Sequence, residues 1–266
     1  MPVQPSPAAP AIENALAYAD TDDPEAHAYF ELVARDVCAG LAQCGFPPDT
    51  NNVLASNRLW RMSKSEWLRT VRECFETPDR SHLTRATVAF DFRQVAGSLD
   101  IVPELVSIMR ETPRHPDFVR ALARTAAGYR PPLGFRGTIV PAKDKEAPDG
   151  TIDIKRGGML PVVNIARFYA LSSQVTISAT LDRLVAVEDL GVLKHEEATA
   201  LAEAFSVAWR VRLEHQGEQV STGVAPDNYV NPDRLPVLTR SLLREALRTI
   251  AQAQERLSVY LRPGIG

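Results

Sequence analysis

The feature that most narrows what this chain can fold into is its apolar spacing from Met159 onward. In Leu235–Leu261, the residues Leu243, Leu247, Ile250, Leu257 and Leu261 recur at intervals of three to seven. That spacing draws one stripe along a helix. Three more stretches precede it: Leu160–Leu171, Ala179–Leu190 closed by Gly191, and His195–His215 with Leu201, Ala204, Ala208 and Val211 on one face. Helices with such stripes must bury them against one another, which predicts a bundle.

The first half reads differently. Met1–Pro10 is proline-rich and is expected to be a disordered leader. Ala11–Ala19 reads as a short strand and Asp20–Pro24 as a turn, with Asp22 or Asp23 as an N-cap for a helix that ends at Gly45. Phe46–Arg61 reads as loop, after which Ser63 or Ser65 caps a helix through Phe75. In Thr87–Gly97, Val88, Phe90 and Phe92 alternate with Ala89, Asp91 and Arg93, the period of a strand with one buried face. Helices are expected over Ile101–Glu111 and after Pro116. Gly137–Pro141 and Thr151–Lys155 read as a short hairpin around Asp149–Gly150. The fold class expected is α+β: a small mixed sheet with helices over residues 11–114, then a mostly helical unit over 115–266.

Charge and cysteine content exclude several function classes. The 30 basic residues (25 Arg and 5 Lys) against 33 acidic ones leave a net charge of −3 and no basic footprint for nucleic acid. Cys38, Cys44 and Cys74 have neither CxxC nor zinc spacing, as expected of reduced thiols in a cytoplasmic protein. His27, His82, His115 and His195 are scattered and read as surface or packing residues. No apolar run approaches the roughly 20 residues of a membrane span, and no signal-peptide pattern is visible.

Three groups of residues have the chemistry of a site. Glu13 and Asp91, one acid on each of two expected strands, suit a divalent ion such as Mg²⁺, which takes hard oxygen ligands. In Asp153–Gly158 (DIKRGG), Lys155 and Arg156 flank Gly157 and Gly158 just ahead of a helix start. Free N–H groups and close backbone approach there suit an anion. In the bundle, Arg212 and His215 lie about one turn apart, and Asp227 and Asn228 occupy the connection before the last helix. Each group also has a structural reading: a charged surface strand, a solvated helix entry, and a capped loop.

Together these stretches resemble a known family. ENALAYAD (Glu13–Asp20), VLASNRLWR with SEW (Val53–Trp67), FDFRQVAG (Phe90–Gly97), RPPLGF (Arg130–Phe135), TIDIKRGGMLPVVNIAR (Thr151–Arg167), RVRLEHQ (Arg210–Gln216) and PDN (Pro226–Asn228) occur in order. They resemble the signal-transduction nucleotidyltransferases found beside CBS or cyclic-nucleotide-binding domains, relatives of the protein-PII uridylyltransferase.

The resemblance implies a nucleotidyltransferase domain followed by a helical substrate-binding domain. It implies transfer of a nucleoside monophosphate from an NTP to a hydroxyl of a protein or small molecule, with Mg²⁺ or Mn²⁺ held by acidic residues. Asp91 falls at the third metal carboxylate and Glu13 at the second, the two residues expected to be catalytic. Asn14 and Arg93 are expected to contact the nucleotide, and Lys155, Arg156, Gly157, Gly158, Arg212, His215, Asp227 and Asn228 the substrate. A homo-oligomer, or association with CBS-type regulatory domains, is expected as well.

Two positions depart from the family pattern. Ala11 stands where the first aspartate belongs, and the Gly-Ser turn that holds the phosphates is expected upstream, where the proline-rich leader lies. The chain thus reads as an N-terminally truncated member with an incomplete active site. A non-catalytic nucleotide- or partner-binding module, or a gene fragment, is the alternative.

Overall fold

The structure is a computed structural model that describes residues 11–49, 51–78, 80–141 and 147–261. The expected leader Met1–Pro10 and the side chain of His82 lie outside the described residues.

The N-terminal part is built on a β–α–β unit. Strand β1 (Leu16–Tyr18) pairs in parallel with β2 (Arg61–Ser63), Leu16 facing Arg61 and Tyr18 facing Ser63. Parallel neighbours need a crossover, and helix α1 (Ala26–Gln43) provides it. Ser63 then starts α2 (Lys64–Glu76) with a reciprocal capping box to Glu66. Ser65 donates instead to Asp20, which ties the β1 exit to the start of α2. The Trp67 indole donates to the Leu16 carbonyl at 3.1 Å, fixing α2 against the sheet.

Thr87–Gly97 is not a strand. Helix α3 (Arg80–Ala89) runs through its first residues, and Phe90 and Asp91 form the turn that ends it. The Phe90 amide bonds the Ala86 carbonyl at 2.8 Å, and both residues are fully buried, one turn apart on one face. A short apolar run with alternating polar residues satisfies a period of two and an i, i+4 pair equally. The core contact of Ala86 and Phe90 settles it as helix, and Arg93 consequently does not share a strand face with Asp91.

Helices α4 (Val102–Met109) and α5 (Pro116–Gly128) follow. The expected hairpin between 137–141 and 151–155 does not form. Strand β3 (Ile152–Asp153) pairs antiparallel with β4 (Tyr229–Val230), Ile152 facing Val230 and Asp153 facing Tyr229, far along the chain, while Leu133 bridges to Ile139 within its own loop. Asp149–Gly150 is a turn, with Gly150 at φ 75°, but the chain it redirects goes to β4. The pairing was invisible locally because its partner is set by the connection after the long helix, not by the turn.

The remaining helices are α6 (Leu160–Ser172), α7 (Thr180–Asp189), α8 (His195–Ser221) and α9 (Val237–Leu257). Val162, Ile165, Ala166, Phe168, Ala170 and Leu171 of α6 are buried around most of its circumference, as a helix at the centre of a bundle requires. It packs against α5 and α7, and α8 packs along α9. One continuous apolar core runs from Trp60, Trp67 and Phe75 through Phe90 and Phe118 to Phe168, Ile250 and Leu257. A smaller cluster joins Ile152 and Ile154 to Ala208, Leu243 and Leu247. The chain is α+β and mostly helical.

Candidate functional site

Asp91 is placed by its neighbour. Phe90 lies among Phe75 and Phe118, ring centres 6.0 and 5.9 Å away, so the turn that carries Asp91 is anchored to the core. From there the Asp91 carboxylate meets two arginines of the bundle. Arg167 of α6 donates Nη2 to Oδ2 at 2.5 Å and Nε to Oδ1 at 3.4 Å. Arg183 of α7 donates Nη2 to Oδ1. Burial alone would raise the Asp91 pKa, but the two guanidiniums outweigh it and hold the carboxyl below its ordinary range.

The arginines are themselves fixed. Arg167 donates Nη1 to Asn164 Oδ1 at 2.7 Å, and Arg183 donates Nε to the Ile177 carbonyl at 2.5 Å. Arg183 is 0% exposed, and burial pulls its pKa down against the opposing pull of Asp91. Its Nη1 is buried without a hydrogen-bond partner. Two guanidiniums against one carboxylate leave this junction with a net positive charge.

Glu13 borders the same region. Its pKa is raised, first by burial, then by Asp49 and Asp91, while Lys155 and Arg167 pull it down. The structure thus brings Glu13, Asp91 and Lys155 within electrostatic reach of one another, although Glu13 keeps an exposed surface. That exposure limits how strongly any of these charges acts on it.

Asn14 faces inward. Its Oδ1 accepts from the Ala55 amide at 2.7 Å and from Cys38 Sγ at 3.6 Å, and its own amide bonds the Val53 carbonyl. It ties the segment before β1 to the 53–55 loop. Arg93 is exposed beyond the turn.

DIKRGG is not a loop ahead of a helix. Lys155–Met159 is a π-helical turn continuous with α6, and Asp153 Oδ1 accepts from the Arg156 amide at 2.9 Å. Its glycines serve packing. A Cβ on Gly157 would stand 2.6 Å from Pro132 Cδ, and one on Gly158 would stand 3.1 Å from Ala208 Cβ and from Ile154 Cδ1. Both are buried, so neither is open to close approach by a ligand; Lys155 and Arg156 are exposed.

Arg212, His215, Asp227 and Asn228 do come together. Arg212 Nε donates to Asn228 Oδ1 at 2.7 Å, and His215 Nε2 lies 2.8 Å from Asp227 Oδ1. Gln216 donates to the Asp227 carbonyl at 3.0 Å, and the Ile154 amide bonds the Asn228 carbonyl at 2.9 Å. The cluster ties the α8–α9 connection to the π-turn. Burial raises the Asp227 pKa, but His215 and the Tyr229 amide hold it low. His27 and His195 accept or donate single side-chain bonds to Tyr18 and Glu188, and His115 stacks on Phe75, consistent with surface and packing roles.

The residues sequence reasoning missed are Arg167 and Arg183. A signal for Arg183 existed: it stands beside Leu184 and one turn before Val187 on the buried face of α7. An arginine in an apolar stripe calls for a buried anion.

The donor set does not suit a divalent cation. Both Asp91 oxygens accept from guanidiniums, and among the described residues no group of three or more His, Cys, Asp and Glu stands together to hold a metal ion. Mg²⁺ demands several oxygen ligands near octahedral geometry, and Asp91 already accepts three guanidinium bonds, two of them at Oδ1, from positive groups that disfavour a cation beside it.

Residues 116–260 match the family model described as "putative nucleotidyltransferase substrate binding domain", and residues 8–81 match the one described as "putative nucleotidyltransferase DUF294". No curated protein matches the chain. No solved structure does either.

Proposed function

The chain belongs to this nucleotidyltransferase family, with its substrate binding domain, and we propose that it binds a phosphate-bearing ligand without performing metal-dependent transfer. The observation that carries this reading is the double arginine clamp on Asp91. The carboxylate expected to hold metal is occupied as a bridge between the α3 turn and the bundle. The surplus positive charge of the clamp, with exposed Lys155 acting on the same Glu13 as Arg167, favours an anion on this face of the chain.

The second reading is the uridylyltransferase-like reaction, in which a nucleoside monophosphate passes from an NTP to a signalling protein or small molecule with Mg²⁺ or Mn²⁺. Family membership favours it, and so does the proximity of Glu13 to Asp91. It requires Asp91 to turn a carboxylate oxygen from the arginines toward a metal ion.

Calorimetric titration with UTP and ATP distinguishes the two. Comparable affinity in EDTA and in Mg²⁺, weakened about tenfold in Lys155→Ala, is the expected result. Binding that requires Mg²⁺, or transfer of labelled nucleotide into lysate that is lost in Asp91→Ala, overturns the proposal.

A further inference from the structure

Two features have no role in the site above. The first is the tip of the loop after α5. Phe135 there is 89% exposed, an unusual place for a phenyl ring. Its exposure is enforced. The Gly134 amide bonds the Thr138 carbonyl at 2.8 Å and the Val140 amide the Pro132 carbonyl at 2.9 Å, which closes the loop beneath it. Leu133 and Ile139 anchor the base in the smaller core cluster. At the tip, Arg136 is held at φ 69°, a left-handed backbone that a non-glycine residue adopts at a cost. Its guanidinium lies 5.8 Å from the Phe135 ring centre. The result is a rigid projection carrying one aromatic ring and one cation.

The second is a groove of about 630 Å³ between α7 and α8. Leu181, Val185, Ala202 and Val207 line it, with Leu242 of α9 at one end. Val185 is 57% and Leu181 42% exposed, although both sit on regular helix next to buried Leu184. The groove's charged lining is Glu188, Glu203 and Arg210, two acids against one base.

We infer that these two features are halves of one contact between copies of this chain: Phe135 of one copy enters the α7–α8 groove of another, and Arg136 pairs with Glu203. The groove has room for a phenyl ring, and its lining is the apolar surface such a ring needs. The projection carries a positive charge beside the ring, and the groove is acidic on balance, with Glu188 and Glu203 against Arg210, so the charges match when Arg136 meets Glu203. A preformed loop loses little entropy on docking, and a single aromatic anchor in a pocket is the usual centre of such an interface. The inference is independent of what the Asp91 junction binds.

Sedimentation equilibrium over the micromolar range tests it. The wild-type chain is expected to self-associate, and Phe135→Asp and Glu203→Arg are each expected to weaken association roughly tenfold or more. Arg136→Glu should weaken it likewise, and the double variant Arg136→Glu/Glu203→Arg should restore it, because the pair is reversed rather than lost. Circular dichroism confirms that each variant is folded; all three positions are exposed. A wild-type chain that stays monomeric, or a Phe135→Asp variant that associates like wild type, overturns the inference. So does a charge-reversed double variant no better than its parents.

Discussion

Asp91 and Arg183 stand 92 residues apart in sequence and share a hydrogen-bonded ion pair in which the arginine is wholly buried. The pair joins the end of α3 to α7, and Arg167 closes it from α6. Removing one member of a buried pair strands the other. Asp91→Asn is therefore expected to cost about 3–5 kcal/mol, toward the lower figure because the Asp91 side chain keeps 27% exposure. Urea denaturation measures it; a cost near zero would show that the clamp is not formed in solution.

The same pair sets an acid dependence. The folded Asp91 pKa lies below its ordinary 3.8. The stability this carboxylate confers is thus complete above that value and lost as pH falls through the depressed one. The urea-midpoint gap between wild type and Asp91→Asn should stay constant from about pH 7 down to about pH 4 and close below it.

Glu13 acts in the opposite sense. Its folded pKa is above the ordinary 4.5, so its contribution favours the fold below that value and is lost as pH rises through the raised one. Glu13→Gln should be no less stable than wild type at neutral pH. A clear loss there would mean that Lys155 and Arg167 hold Glu13 more firmly than burial and its acidic neighbours oppose it.

Much of this architecture could be read from residues alone, and the reasons for the rest are physical. The apolar stripes of α6 through α9 and the Ser63 start of α2 were legible because helical period and capping are local signals. The strand expected at Thr87–Gly97 failed because its first residues close a helix whose one-turn pair, Ala86 and Phe90, faces the core, while the residues after Asp91 are irregular. The β3–β4 pairing and the choice of Asp91 as the arginines' partner depend on residues distant in sequence; the apolar stripe around Arg183 signals a buried anion but not which one. Glu13, Asp91 and Lys155 were identified as charged candidates, but nothing near them in sequence shows that Arg167 and Arg183 take both oxygens of Asp91. Gly157 and Gly158 illustrate the same limit, since a glycine needed for Pro132 looks like one needed for a phosphate.

The π-turn gives a paired prediction. Gly157→Ala forces a Cβ to within 2.6 Å of Pro132 Cδ, and overpacking of this kind costs about 1–3 kcal/mol. Arg156→Ala, at an exposed neighbour, should leave the melting temperature nearly unchanged. Equal effects would show that the turn is not packed as described.

Leu247 is fully buried among Ile154, Ala208 and Leu243. Leu247→Ala should cost about 2–5 kcal/mol by chemical denaturation. A negligible cost would mean that α9 presents a different face to the core.

The central claim, that Asp91 is held by arginines and not available to metal, is tested most directly by Mn²⁺ titration followed by electron paramagnetic resonance on wild type and Asp91→Asn. The account predicts superimposable titrations, with no stoichiometric site that depends on Asp91. A wild-type chain that takes up Mn²⁺ stoichiometrically at micromolar affinity, and loses that uptake in a folded Asp91→Asn variant, would contradict it.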